Sequence, residues 1–119
     1  MSLIELFKKY RDRYMRSALD SMEFPEFPPD EIVRYRIIFR GIVQGVGFRY
    51  EAWLIAGKLG LTGFAENLPD GSVRMEIQGQ ENKIHHLISC MESIRRISIE
   101  KKEITKLPLV QEDKFQPIY

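Results

Sequence analysis

The chain has 119 residues, 44% hydrophobic and 29% charged, the composition of one ordinary globular domain that can build a core without staples. A formal charge of +1 gives no general pull toward nucleic acid or an anionic membrane, so any basic function has to be local. The single cysteine, Cys90, excludes an internal disulfide framework and fits a reducing compartment; no apolar run approaches the roughly 20 residues of a membrane span, and charges interrupt the start from Met1 to Arg16, so a cytoplasmic protein without a signal peptide is expected.

Leu3, Phe7, Tyr10 and Tyr14 recur at helical spacing, which predicts an N-terminal amphipathic helix of about four turns. Glu23-Phe24-Pro25-Glu26-Phe27-Pro28-Pro29-Asp30 is too rich in proline for helix or strand and predicts an extended linker. Residues 1–32 are therefore expected to form an extension, and residues 33–119 a compact domain. Val33, Tyr35, Ile37 and Phe39 alternate with Arg34, Arg36 and Arg40, a first strand with one buried face. After a glycine-rich loop, Phe48, Ala52, Ile55, Ala56 and Leu59 fall on one helical face, closed by Gly60. Leu61 to Asn67 predicts a short strand, Leu68-Pro69-Asp70-Gly71 a hairpin turn, and Val73, Met75 and Ile77 a third strand ending at Gly79. A second helix from about Asn82 to Ile94 turns Ile84, Leu87, Ile88 and Met91 inward. Ile97 to Ile104 predicts a fourth strand, and Phe115 to Tyr119 a short edge strand, since Pro117 excludes a central one. The order βαββαβ is that of the ferredoxin-like α+β sandwich, two helices on one face of an antiparallel sheet. That fold alone names no function.

The stretch Gly41-Ile42-Val43-Gln44-Gly45-Val46-Gly47-Phe48-Arg49 carries the chemistry. Glycine lets the backbone turn with its N–H groups pointing inward, a new helix leaves its first amides unpaired, and a guanidinium can grip two oxygens at once. A nucleotide-binding P-loop needs Gly-Lys-Ser/Thr where Gly47-Phe48-Arg49 stands, and a dinucleotide fingerprint needs a third glycine where Tyr50 stands. What remains is a tight cradle for a phosphate or carboxylate. Elsewhere the residues read as structure. His85 and His86 are adjacent on a helix and diverge, where a metal pair would need a spacing of four, so no metal site is expected. Cys90 lies near the inward stripe of the second helix without an obvious base, which suits packing.

Gly41 to Arg49, followed by Ala56, Leu59-Gly60-Leu61, Gly63-Phe64-Ala65-Glu66-Asn67 and Asp70-Gly71-Ser72-Val73, resembles the signature of the acylphosphatase family, over roughly Val33 to Tyr119. The resemblance implies a βαββαβ fold and hydrolysis, without metal or cofactor, of the carboxyl–phosphate bond of small acyl phosphates to carboxylate and inorganic phosphate. It assigns Arg49 as the phosphate-binding arginine, the amides of Gln44, Gly45, Val46, Gly47, Phe48 and Arg49 as the cradle, and Asn67 as the second catalytic residue, orienting the attacking water. Such a leaving group needs little protonation, so catalysis can rest on holding the phosphoryl group, stabilising its equatorial charge and placing water in line.

The chain departs from the family pattern at Phe64, where tryptophan is usual, and at Glu66, whose alternation points it away from Asn67. It departs also at Ser93-Ile94-Arg95-Arg96, in place of a Gly/Pro-rich link, and in the extension itself. Two other classes keep the same fold. One is a non-catalytic module that binds phosphate or carboxylate. The other is an RNA-binding domain, which needs aromatics on the open sheet face where Arg34, Arg36, Arg40, Arg74 and Glu76 are expected. No nucleic-acid or membrane partner is expected. The chain is expected to be a monomer, or to self-associate weakly through its N-terminal helix.

Overall fold

The computed structural model describes residues 2–5 and 18–119. The predicted amphipathic helix, with Phe7, Tyr10 and Tyr14, lies outside the described residues except for a short helical stretch at 3–5. The elements that follow are β1 (Ile32–Ile42), α1 (Phe48–Leu59), β2 (Thr62–Asn67), β3 (Val73–Gln80), α2 (Glu81–Ser93), β4 (Ser98–Leu107) and β5 (Phe115–Ile118). The five strands form one sheet in the order β4-β1-β3-β2-β5.

Alternation places Val33, Ile37 and Phe39 of β1 and Val73, Met75 and Ile77 of β3 on the face under the helices. Ala52, Ile55 and Ala56 of α1 and Ile84, Leu87 and Met91 of α2 close over them, all fully buried. Each large side chain of this layer is worth about 1.5–3 kcal/mol relative to exposure. The first helix ends at Gly60, whose φ of 67° is left-handed, while Leu61 N–H donates back to the Ala56 carbonyl at 2.9 Å.

Two elements differ from the sequence expectation. β4 runs three residues further, to Leu107, because Thr105, Lys106 and Leu107 keep backbone register with Arg36, Tyr35 and Arg34. Exposed side chains on an edge strand give no apolar period to mark its end. β1 to β4 pair antiparallel as expected, but β5 lies parallel to β2. The reason is the path of the chain. Residues 108–114 cross the sheet at the end where β4 finishes, held by Gln78 Nε2 donating to the Val110 carbonyl at 2.8 Å and by Gly63 N–H donating to the Lys114 carbonyl at 3.1 Å. β5 therefore starts beside the start of β2 and must run the same way.

Residues 18–31 pack on the two helices. Leu19, Met22, Phe24 and Phe27 lie against the core. Phe24 and Phe27 meet the His86 ring edge-on at 5.5 and 5.3 Å. Asp30 Oδ2 accepts the Asn82 N–H at 2.8 Å, serving the first turn of α2, to which Gln80 gives no side-chain bond. Among the described residues no helix is long and apolar enough to cross a membrane.

Candidate active site

The end of the sheet where β1 finishes carries the glycine loop. Gly45 has φ 73° and Gly47 φ 78°, a left-handed conformation that costs an L side chain about 1–2 kcal/mol. Phe48, buried, packs on Phe39 at a ring distance of 5.0 Å and seats the start of α1 over the sheet. The first intrahelical bond runs from Glu51 N–H to the Gly47 carbonyl at 3.0 Å, and no side chain caps the helix. Among the described residues, the backbone N–H groups of Gln44, Gly45, Val46, Gly47, Phe48 and Arg49 have no acceptor. Unpaired amides at a helix start carry a partial positive charge, which makes an anion site.

The Gln44 side chain reaches the β2–β3 turn. Its Nε2 donates to the carbonyls of Leu68 and Ser72, both at 2.8 Å, tying the loop to the β2–β3 turn. That turn is closed by Leu68 N–H to the Ser72 carbonyl at 2.9 Å and by Gly71 N–H to the Leu68 carbonyl at 3.1 Å. Asp70 accepts from both the hydroxyl and the N–H of Ser72. With Arg40 alongside, these hydrogen bonds hold its carboxyl at about 2.

Between these anchors β2 ends at Asn67, paired with Val73. Asn67 has the same strand parity as buried Ala65, so it looks toward the helices. Its Oδ1 is buried and has no hydrogen-bond partner among the described residues. A buried acceptor left without a donor costs about 1–3 kcal/mol, and such atoms mark places where a ligand or water belongs. Glu66 points to the opposite face and forms an ion pair with Arg74, its cross-strand neighbour.

Arg49, in the first turn of α1, reaches toward the same place. Its Nη1 donates to the Ile118 carbonyl at 2.8 Å, and its guanidinium lies 4.0 Å over the Tyr119 ring. Ile118 is in register with Glu66, so Arg49 is held beside the end of β2. No carboxylate pairs with Arg49 among the described residues. Burial pushes the Tyr119 phenol up, against the opposing effect of the Arg49 charge.

Two further residues, missed as contributors by sequence reasoning, lie behind the loop. Glu51 is fully buried in α1 and pairs with Arg96 at 2.9 Å, and Arg96 Nε also donates to the Val46 carbonyl at 2.7 Å. The only trace of Arg96 in the sequence is its place in the atypical link after α2. Cys90 is buried in α2, and burial raises its thiol, which makes it a packing residue rather than a nucleophile. The carboxylates around this end, Glu51, Glu66 and Asp70, are each held by an arginine, so the free donors suit an anion rather than a metal cation.

The fold and its open donors thus define a ferredoxin-like α+β protein with unpaired backbone N–H groups where β1 meets α1. A profile of the acylphosphatase family matches residues 35–117, and the chain belongs to that family. An acylphosphatase of Clostridium beijerinckii is 50% identical over 58 residues, 49% of this chain and 64% of that protein, so the chain aligns with less than two thirds of this relative. An acylphosphatase of Clostridium perfringens is 41% identical over 78 residues, 62% of this chain and 88% of that protein. The crystal structure of acylphosphatase from Bacillus subtilis is similar with a TM-score of 0.69 and 31% identity, covering 75% of this chain and 100% of that one.

Proposed function

We propose that the protein is an acylphosphatase, hydrolysing the carboxyl–phosphate bond of small acyl phosphates to carboxylate and inorganic phosphate. The observation that carries this is the meeting, at one end of the sheet, of a helix-start loop with unpaired amides and an arginine that no described carboxylate neutralises. In this reading the amides of Gln44 to Arg49 surround the phosphoryl oxygens, and Arg49 grips two of them with the N–H groups that Ile118 does not use. The Ile118 carbonyl and the Tyr119 ring fix the plane of the guanidinium beforehand, so little freedom is lost on binding.

Asn67 Oδ1 then accepts a hydrogen bond from the attacking water. The water oxygen bonds to phosphorus, the bond to the acyl oxygen breaks, and its electron pair leaves on the carboxylate. One water proton passes to a phosphate oxygen. Because a carboxylate is already a good leaving group, the step requires no general acid, and the residues at this end include no histidine. A cytoplasmic location fits the single buried thiol.

The test is release of inorganic phosphate from acetyl or benzoyl phosphate in the presence of EDTA. Turnover by the wild-type chain, lost in Arg49→Ala, is the expected result. Phosphate binding without any turnover would favour the non-catalytic module and overturn the hydrolase.

A further inference from the structure

We propose that Arg96 is a positioning residue of the phosphate cradle, acting through the Val46–Gly47 peptide and through Glu51. The inference rests on the acylphosphatase reading of that loop. Arg96 belongs to the link between α2 and β4, and its side chain is 36% exposed, yet its guanidinium reaches two partners behind the loop. Nε donates to the Val46 carbonyl at 2.7 Å, and Nη2 donates to Glu51 Oε1 at 2.9 Å.

The first contact sets a direction. In a planar trans peptide the carbonyl of Val46 and the N–H of Gly47 point opposite ways. An arginine that holds the carbonyl on one side turns the Gly47 N–H toward the other, and that N–H, like the other amides of the loop, has no acceptor among the described residues. This peptide needs an external hold more than most. Gly47, with φ 78°, forms one half of it, Gly45, with φ 73°, stands one residue before it, and no side chain caps the helix that starts there.

The second contact sets a charge. Glu51 lies one turn into α1, fully buried, on the helix whose N-terminus faces the anion. Its carboxylate also accepts the Ala18 N–H, 3.3 Å from each oxygen, so the extension docks on the same group. Arg96 places a positive charge 2.9 Å from this buried carboxylate, behind the loop. Arg96 therefore joins the loop, through Val46, to α1 and the extension, through Glu51.

The experiment uses the full chain, titrated with inorganic phosphate and assayed with benzoyl phosphate. Arg96→Ala is expected to raise the phosphate Kd and the KM about tenfold and to change kcat by less than about threefold, because the amides it orients bind ground state and transition state alike. A rise in Kd and KM with kcat held is the split that a merely structural arginine would not produce. Arg96→Lys keeps one charge near Glu51 without spanning both partners and should fall between, which gives a folded comparison if the alanine variant is unstable. Phosphate affinity and KM within twofold of wild type in folded Arg96→Lys and Arg96→Ala would overturn the proposal. A wild-type chain that neither binds phosphate nor hydrolyses benzoyl phosphate would instead bring down the acylphosphatase reading on which it rests.

Discussion

Arg34 at the start of β1 and Arg49 in the first turn of α1 carry the same group at opposite ends of one sheet. Arg34 is 3% exposed, and every side of its fork is used. Nε and Nη2 donate to Glu76 at 3.2 and 3.1 Å, and Nη1 donates to Glu112 at 2.8 Å and to Gln78 at 3.4 Å. Burial alone would lower its pKa, but the hydrogen bonds and charges of Glu112 and Glu76 outweigh that and raise it, so it stays charged. Among the described residues, Arg49 has one carbonyl and one aromatic ring. Both arginines are held in place, but among the described residues only Arg34 has its charge answered by carboxylates. What separates a structural arginine from one open to an anion is therefore its carboxylate count, more than its burial.

The sharpest way to break this contrast is Arg49→Ala. It should cost on the order of a hundredfold or more in kcat/KM, as removal of a phosphate-clamping group does, while the urea midpoint stays near wild type. A large stability loss with intact turnover would place Arg49 in Arg34's class. Asn67→Ala should follow, lowering kcat on the order of a hundredfold with little change in KM, because its proposed partner is the water. An effect confined to KM would remove Asn67 from that role.

Arg34→Ala is the mirror experiment. Its partners Glu76 and Glu112 are only 21% and 20% exposed, so their charges would be left poorly solvated. Truncating one side of a fully buried pair costs about 3–5 kcal/mol, and water at these carboxylates brings the expected loss to about 2–3 kcal/mol. The check is the urea midpoint, with kcat unchanged for the fraction that is folded.

The sequence carries much of this architecture because burial leaves a period. Val33, Ile37 and Phe39 at spacing two and Ala52, Ile55 and Ala56 at helical spacing report the sandwich directly. β5 carries no such record of its direction, which follows from where residues 108–114 cross the sheet. In the candidate site, the glycine spacing and Arg49 are legible as an anion loop, and Asn67 enters only through the family resemblance. What orients Arg49 is not legible. Its Ile118 partner lies 69 residues away and is brought there by β2–β5 register. Arg96 stands in the sequence only as a departure from a usual link, because its partner Val46 is 50 residues distant. Contacts between distant backbone carbonyls and arginines leave no pattern in either element.

A third arginine tests the same contrast where water intervenes. Arg40 pairs with Asp70 at 3.0 Å, and the two side chains are 43% and 52% exposed. Exposed pairs contribute little, so the carboxylate's other bonds should matter more than the arginine. The Ser72 hydroxyl and N–H come first among the causes that hold Asp70 at about 2, and Arg40 follows. A folded value below the unfolded one, about 3.9, means that the stabilisation is present above about pH 4 and disappears as pH falls through 2. Asp70→Asn should therefore lower the urea midpoint at pH 6, and the gap to wild type should close as pH approaches 2. Arg40→Ala should move the midpoint less than Asp70→Asn at pH 6, because the two Ser72 bonds survive it. A gap that stays constant from pH 6 to pH 2 would show that the Asp70 charge does not stabilise the turn. An Arg40 effect as large as that of Asp70 would show that an exposed arginine can be as structural as Arg34.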